Sequence, residues 1–335
     1  MDRTAEHIVR RRMHGLFLSR KCENIAELSR DLLGLHCWFA RNVAFSARIR
    51  GAALAGWKQA LTKTWLYRGT LHGAVYEELP LLLALHAGDF SFDWLLGEEG
   101  TRDAADRVIR LMEDGVYSRA EMRGIFADTY DERTIRKLLS PWGGIFVYLA
   151  RLGKVAFRDM TSRDFDLIDA EPTLTFGEAL PELLHRFFTA YGPATLADAA
   201  WFFGLWKEKR QKLFALDMGE YTQFTYDGDT YYDIGEPFEL GDIPELTLLS
   251  GFDPLIESYA QKGRGAVLPP EYKNAVILKS GICLPTVAVN GRVAGLWNIK
   301  KGDPTVEFFS PQPKQIKDAV FGLAEEMRRG TAGIV

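Results

Sequence analysis

A short β-ribbon that follows amphipathic helices is the feature that most constrains how this chain can fold. Residues 64–67 favour an extended, half-buried strand, Arg68-Gly69 interrupts it, and residues 70–75 favour a second strand. Before the ribbon, apolar residues recur at helical spacing in residues 39–49. Helices followed by a β-ribbon are typical of a winged helix, in which one helix can enter a groove of DNA.

The same order of elements returns further along the chain. Residues 176–191 predict a helix, and the turn after it ends at Thr195, which can cap the next helix of a helix-turn-helix. Asp227-Gly228, between two β-rich runs, then predicts a hairpin. We therefore expect three winged helices, at residues 1–90, 101–170 and 171–240.

In the last part of the chain, the sequence predicts mainly short β-strands instead of helices. Short β-rich runs follow Leu246, and Asn290-Gly291 is the residue pair of a type I′ hairpin turn. A terminal helix is expected at residues 313–328. The sequence thus predicts an antiparallel β domain with a terminal helix over residues 241–335, and a fold that is mainly α with β (α+β).

Composition and motifs exclude several classes of protein. With 335 residues and 47% hydrophobic content, the chain can build packed cores. Its longest apolar runs, such as 79–85, are far shorter than the roughly 20 residues of a membrane span, and residues 1–12 do not resemble a secretory signal. Three isolated cysteines without CxxC spacing, and no phosphate-binding glycine loop, predict no metal site and no cofactor. We expect a cytoplasmic monomer.

Charge gives no general attraction to nucleic acid, because the formal net charge is −4. Any DNA contact must come from local basic clusters. Residues 10–12, all arginine, form either a solvated helix face or a phosphate-contacting one, and the cluster at 207–212 leaves the same two alternatives open. The candidate DNA-binding residues on predicted helices are Arg41, Arg48, Lys207, Lys209 and Arg210.

Four motifs occur in an order and spacing that resemble one known family. They are Trp-Leu-Tyr-Arg-Gly-Thr-Leu-His at 65–72, Tyr-Gly-Pro-Ala-Thr-Leu-Ala-Asp at 191–198, Gly-Phe-Asp-Pro at 251–254, and the stretch 284–297 that ends in Gly-Leu-Trp. The chain is similar over nearly its whole length to the winged-helix family that includes the AlkZ-type and YcaQ-type bacterial DNA glycosylases.

The resemblance implies tandem winged-helix domains and a carboxy-terminal β domain in a C-shaped molecule around duplex DNA, including damaged DNA. It also implies removal of alkylated or crosslinked purines by hydrolysis of the N-glycosidic bond. The family's active enzymes carry Gln-x-Gln or Gln-x-Asp after a Gly-Leu pair. Here Gly34-Leu35 is followed by His36, Cys37 and Trp38, so both catalytic positions differ.

The chemistry of these two positions leaves several hypotheses open. Hydrolysis needs a water held on an oxocarbenium-like sugar, and a neutral His36 can accept a proton from it. Trp38 cannot polarise water, but an indole can stack on a base or on an aromatic ligand. Alternatively, both side chains are ordinary core residues.

The ribbon and one later motif carry further candidates. If the ribbon alternates, Arg68, Thr70 and His72 share one face, where Arg68 and His72 could contact DNA or cover the helices behind them. Asp253, in the Gly-Phe-Asp-Pro motif, is predicted to be a helix cap or loop anchor rather than a catalytic residue.

Three functions follow from these observations. The leading hypothesis is a DNA-binding protein related to alkylpurine and crosslink glycosylases, in which the replacement of the catalytic pair by His36 and Trp38 argues against base excision. The second is an active glycosylase in which His36 positions the water. The third is a protein whose cleft binds a small aromatic molecule, with Trp38 as the platform.

Overall fold

Helices and antiparallel sheets make up the fold, as the α+β prediction requires. The computed structural model describes residues 3–86, 93–235 and 240–333. The helices are α1 (Arg3–Gly15), α2 (Ile25–Asp31), α3 (Ala40–Ile49), α4 (Trp57–Ala60), α5 (Leu79–Ala84), α6 (Asp93–Glu113), α7 (Arg119–Phe126), α8 (Glu132–Leu138), α9 (Ile145–Arg151), α10 (Phe176–Tyr191), α11 (Leu196–Phe203), α12 (Lys207–Phe214), α13 (Pro254–Glu257), α14 (Lys273–Val276) and α15 (Lys314–Gly330). The strands are β1 (Leu35–His36), β2 (Thr62–Trp65), β3 (Leu71–Ala74), β4 (Val155–Phe157), β5 (Phe165–Leu167), β6 (Thr222–Tyr226), β7 (Asp229–Asp233), β8 (Leu246–Leu249), β9 (Thr286–Val289), β10 (Arg292–Lys300) and β11 (Asp303–Phe308).

Two compact units account for the chain. One contains Met1–Trp57 and Leu184–Val335, and the other contains Lys58–Leu183. The boundary between Trp57 and Lys58 lies inside the first predicted winged helix. The division of the sequence at residues 1–90, 101–170, 171–240 and 241–335 stays a prediction.

Several helices begin where a short polar side chain can bind their first free N–H groups. Asn24 caps α2, and Ser118 starts α7 with a capping box. At α11, the Oγ1 of Thr195 accepts from the N–H of Asp198 (3.0 Å), and the Asp198 carboxylate accepts from the Thr195 N–H (2.9 Å). The predicted cap at Thr195 is therefore confirmed.

A helix-turn-helix followed by a hairpin is present in residues 184–233 of the first unit. The end of α10, α11 and α12 precede β6 and β7, which pair antiparallel around Asp227-Gly228. Both turn residues have positive φ, as a tight hairpin turn requires. Ala194 bridges to Tyr232 of β7, and this pair fixes the turn before α11 against the hairpin.

The terminal sheet of the first unit has the strand order β11-β10-β9-β8 and is covered by α15. The predicted turn at Asn290-Gly291 joins β9 to β10, with positive φ at both residues. The core between sheet and helix is formed by the buried residues Phe45, Leu248, Val287, Trp297, Val320, Ala324 and Met327. Since Phe45 lies on α3, this core draws on both ends of the chain.

Two of the three consecutive arginines of α1, Arg11 and Arg12, are structural. Arg11 pairs with Asp233 (3.2 Å), and Arg12 donates to the carbonyls of Pro193 (2.9 Å) and Gly263 (2.6 Å). Both arginine side chains are fully buried. The two predicted roles, a solvated face or a phosphate contact, are therefore wrong for these residues, because neither guanidinium reaches the surface.

In the second unit, strands β3, β2, β4 and β5 are neighbours in that order. The predicted hairpin of β2 and β3 is confirmed, but its turn differs from the prediction. Tyr67–Gly69 forms a 3₁₀ turn in which Arg68 has a φ of 53°. Arg68 therefore lies in the turn, and the expectation that it shares a strand face with His72 is wrong.

Helices of the described segments are all too short or too polar to cross a bilayer. The same segments contain no cluster of three or more His, Cys, Asp or Glu side chains placed to bind a metal ion.

Candidate functional site

The segment that carries His36 and Trp38 is held between α2 and α3 of the first unit. Leu33 and Gly34 have positive φ, so the chain leaves α2 in a sharp turn and then extends through β1. Burial alternates along the extended residues: Cys37 is fully buried, whereas His36 and Trp38 are half-buried. Because side chains alternate in extended backbone, His36 and Trp38 lie on the more open side. Neither is a fully buried core residue.

The ring of Phe252 covers one face of His36. The two ring centroids are 4.1 Å apart with an interplanar angle of 11°, which is a stacked geometry. Phe39, which is 40% exposed, lies 6.2 Å from the same phenyl ring. Stacking on a face leaves the ring-plane nitrogens of an imidazole able to form hydrogen bonds. The arrangement therefore orients the His36 ring and places it in an aromatic group of three rings, which we call the His36 cluster: His36, Phe39 and Phe252.

Phe252 owes its position to an unusual backbone conformation. Its φ is 55°, which costs about 1 kcal/mol or more for a residue with a side chain. Its N–H donates to the carbonyl of Cys283 (3.1 Å). A Cβ on the preceding Gly251 would lie 2.7 Å from Nδ2 of Asn42, so a larger residue here would have to displace the Asn42 side chain of α3.

Asp253 anchors the loop in the interior. Its carboxylate accepts from both terminal nitrogens of Arg50 (2.9 and 3.1 Å), and neither side chain is exposed. It also accepts from the N–H and hydroxyl of Ser250 and from the N–H of Leu255, where it caps α13. A buried ion pair is stable when its remaining groups are hydrogen-bonded in this way. The predicted role of Asp253 as cap and loop anchor is confirmed.

Besides its ion pair with Asp253, Arg50 also forms hydrogen bonds to the loop after α1 and to its own helix, α3. Its Nε donates to the carbonyl of Leu16 (2.8 Å), and Nη1 donates to the hydroxyl of Ser46 (3.0 Å). One guanidinium thus fixes the end of α3, the loop after α1 and the loop that carries Phe252. Arg50 and Asp253 are positioning residues for the His36 cluster.

The thiols offer no nucleophile to this site. Cys22, Cys37 and Cys283 are all buried. Burial, and then a hydrogen bond to Glu27, raise the pKa of the Cys22 thiol to about 12. Burial also raises the pKa of Cys283. Both of these thiols therefore stay protonated near neutral pH and are weak nucleophiles.

The basic candidates on α3 have different surroundings. Arg41 is exposed in the first turn of α3, close in sequence to the His36 cluster. Arg48 is also exposed, but its guanidinium lies against the end of α15, because a Cβ on Gly330 would be only 2.5 Å from its Nε. Of these two arginines, Arg41 is the better placed to reach a ligand.

The basic candidates on α12 lie on the helix that follows α11 after the short turn 204–206, so α11 and α12 are the two helices of the helix-turn-helix. Lys207 and Arg210 are exposed, and Lys209 is half-buried. The Arg210 guanidinium lies over the ring of Phe214, 5.2 Å from its centroid. Trp206, directly before the helix, is 67% exposed. The predicted solvent-exposed basic face is present here, and it includes aromatic rings.

Arg68 and His72 belong to the second unit. Arg68 is half-buried in its turn. His72 is only 3% exposed; its Nδ1 is 3.1 Å from the Thr70 carbonyl, and its ring meets Tyr67 edge-on at 5.2 Å. His72 therefore packs in the core of this unit rather than on a surface that DNA could reach.

The sequence did not predict Phe252, Asn42 or Arg50 as parts of the site. Phe252 stands beside Asp253 in a recognised motif, but no local signal indicates that its ring meets His36. For Trp206 a signal existed, because a tryptophan directly before a basic helix is unusual on a surface.

The fold and the exposed basic face of α12 define a helix-turn-helix protein with antiparallel β elements. Comparison with known proteins gives the family. A family model described as DNA glycosylase AlkZ-like matches residues 39–329. The chain therefore belongs to the AlkZ-like DNA glycosylase family, and the predicted resemblance is confirmed.

Two matches from Streptomyces sahachiroi, one of sequence and one of structure, illustrate the similarity. An interstrand DNA cross-link repair glycosylase is 29% identical over 270 residues, which cover 72% of this chain and 71% of the relative. The structure of the DNA glycosylase AlkZ matches with a TM-score of 0.77 at 24% identity, covering 97% of this chain and 96% of that one. The family match begins at Phe39, so His36 and Trp38 lie just outside it.

Proposed function

We propose that this protein binds duplex DNA, including damaged DNA, in the manner of a glycosylase-related repair protein. The observation that carries the proposal is the family match over residues 39–329. Exposed Lys207 and Arg210 on α12 support it, because basic side chains on the second helix of a helix-turn-helix are suited to phosphate contact.

Fluorescence anisotropy with a labelled duplex tests the binding. The full-length protein is titrated with intact, abasic-site and 7-methylguanine duplexes, and compared with the double variant Lys207→Gln/Arg210→Gln. We expect the double variant to bind about 10-fold more weakly at low salt. The matched control is Lys314→Gln/Lys317→Gln, which removes two exposed charges from α15. Absence of binding to all three duplexes at low salt would reject the proposal.

Base excision by the family's glutamine chemistry is not part of the proposal, because the resemblance puts His36 and Trp38 at the two catalytic positions. A second candidate function is excision with His36 as the residue that positions water. It is favoured by the stacking of His36 on Phe252, since a fixed imidazole is what water activation needs.

Single-turnover release of 7-methylguanine tests this second candidate. We expect His36→Ala to slow release by about 100-fold or more, the usual contribution of a general base. His185→Ala, which removes an exposed histidine outside the site, serves as the control. Equal rates for wild type and His36→Ala would remove His36 from the mechanism.

A third candidate is binding of a small aromatic ligand at Trp38, whose indole is only half-buried. Tryptophan fluorescence that responds to free purine bases, and loses the response in Trp38→Leu, would support it. A response to DNA alone would count against it.

A further inference from the structure

The surface around the start of α12 combines exposed aromatic rings with positive charge. Trp206 is 67% exposed and Phe214, at the other end of the helix, is 47% exposed. Lys207 and Arg210 are exposed between them, and Glu208 is the acidic residue of the helix. We call Trp206, Lys207, Arg210 and Phe214 the α12 surface.

Positive charge on this surface selects an anionic partner. Helix α12 carries four basic residues and one acidic residue, whereas the whole chain has a formal net charge of −4. The neighbouring hairpin has the opposite character: Asp229 and Asp227 lie at its turn, 2.8 and 3.7 Å from the ammonium of Lys262. Phosphates are therefore attracted to α12 rather than to the tip of the hairpin.

The exposed aromatic rings distinguish between two kinds of anionic ligand, duplex DNA and DNA with unpaired bases. Duplex DNA offers phosphates and base edges, but its base faces are covered by the neighbouring base pairs. Cations alone are sufficient for duplex phosphates, and a large exposed indole adds nothing to that contact. Unpaired bases present bare faces, on which aromatic side chains stack in proteins that bind single strands. The guanidinium of Arg210 lies over the ring of Phe214 and is also planar, so it can add a cation–π contact beside the stacked base.

We propose that the α12 surface binds unpaired bases of DNA, with Trp206 as the stacking platform and Lys207 and Arg210 on the flanking phosphates. The inference rests on the proposed DNA binding and specifies which DNA this module prefers. A duplex with a bulge, or a single-stranded segment, satisfies both the charges and the indole, whereas an intact duplex satisfies only the charges.

Anisotropy with the full-length protein tests the preference. The probes are a 20-base-pair duplex, the same duplex with a three-nucleotide bulge, and one of its single strands. We expect Trp206→Ala to weaken binding to the bulged and single-stranded probes about 10-fold and to the intact duplex less than twofold. Trp206→Phe should keep most of the affinity, because a phenyl ring also stacks. The control is Phe321→Ala, which removes a ring that is 51% exposed on α15.

Each remaining outcome has a definite meaning. Equal losses for all three probes, no loss for any of them, or the same loss in Phe321→Ala would overturn the stacking role of Trp206. If the wild type binds the duplex and Lys207→Gln/Arg210→Gln weakens it while Trp206→Ala changes nothing, the proposed function stands and only this inference fails. If the wild type binds none of the probes at low salt, both fail.

Discussion

Helices α1 and α12 are both rich in basic side chains, yet the structure uses them in opposite ways. Arg11 and Arg12 of α1 are buried against carbonyls and a carboxylate, whereas Lys207 and Arg210 of α12 face solvent. A guanidinium is planar and weakly hydrated, so it can satisfy several buried acceptors at once. A basic run therefore indicates a nucleic-acid surface only when its side chains reach solvent.

The largest expected effect on the buried side of this comparison comes from the Arg50–Asp253 pair. Asp253→Ala leaves a buried guanidinium without its carboxylate and uncaps α13, so we expect a loss of about 3–5 kcal/mol in unfolding free energy. Urea denaturation followed by circular dichroism measures it. Asp318→Ala, an exposed carboxylate on α15, is the control. A loss below about 1 kcal/mol would show that water replaces the carboxylate.

Arg12 gives the next largest effect. Arg12→Met keeps apolar volume over the ring of Tyr259 but leaves the carbonyls of Pro193 and Gly263 without this donor. We expect about 2–4 kcal/mol of destabilisation in the same assay. Lys207→Met is the matched control and should stay within about 0.5 kcal/mol of wild type. If Arg12→Met and Lys207→Met changed the unfolding free energy by similar amounts, the distinction between buried basic residues on α1 and exposed ones on α12 would be wrong.

On the exposed side, the double variant Lys207→Gln/Arg210→Gln should change stability by less than about 0.5 kcal/mol. Its effect should appear instead in the salt dependence of DNA binding. Two lost phosphate contacts reduce the slope of log K against log salt by about 1.8. Anisotropy at several salt concentrations measures this slope. An unchanged slope would mean that α12 does not contact phosphates.

The smallest effect is expected for a partly exposed ion-pair network on α15. A hydrogen bond from Arg328, followed by one from Arg329, lowers the pKa of Glu325 to about 2 from its ordinary value of 4.5. Because the folded-state pKa is depressed, the network stabilises the fold above pH 4.5 and is lost as pH falls from 4.5 toward 2.

The effect should be small and should weaken with salt, since exposed ion pairs are screened. Melting temperatures of wild type and Glu325→Gln between pH 7 and pH 2 measure it. We expect a difference at pH 7 and low salt that shrinks as pH falls below 4.5 and disappears only near pH 2. A difference that is the same at all pH values would mean that the charge of Glu325 is not responsible.

The helix caps and tight turns could be predicted because they depend on a few consecutive residues. Thr195 finds its partner three residues away, and Asn290-Gly291 adopts its turn from its own φ preferences. The turn at Arg68 could not be predicted with the same success. Arg68 takes a left-handed conformation that its residue type does not favour, and only the surrounding hairpin imposes it.

The candidate site was only partly predictable for a related reason. His36 and Trp38 were found from the Gly-Leu pair before them, but the residues that orient His36 come from distant parts of the chain. Arg50 and Asp253 are 203 positions apart in the sequence, and Arg12 meets Pro193 across 181 positions. Such contacts depend on the tertiary arrangement of elements that are far apart in the sequence. Local residue spacing does not predict that arrangement.

The core shared by Phe45 and the terminal sheet has a consequence for synthesis on the ribosome. Phe45 is translated long before its neighbours Trp297 and Val320, which lie more than 250 positions further along the chain. During elongation, the apolar face of α3 therefore stays exposed until β10 and α15 have been made. Chaperones bind exposed apolar surfaces of this kind. A nascent chain released before β10 would lack most of this core, so quality control has a long interval in which to act on the first unit.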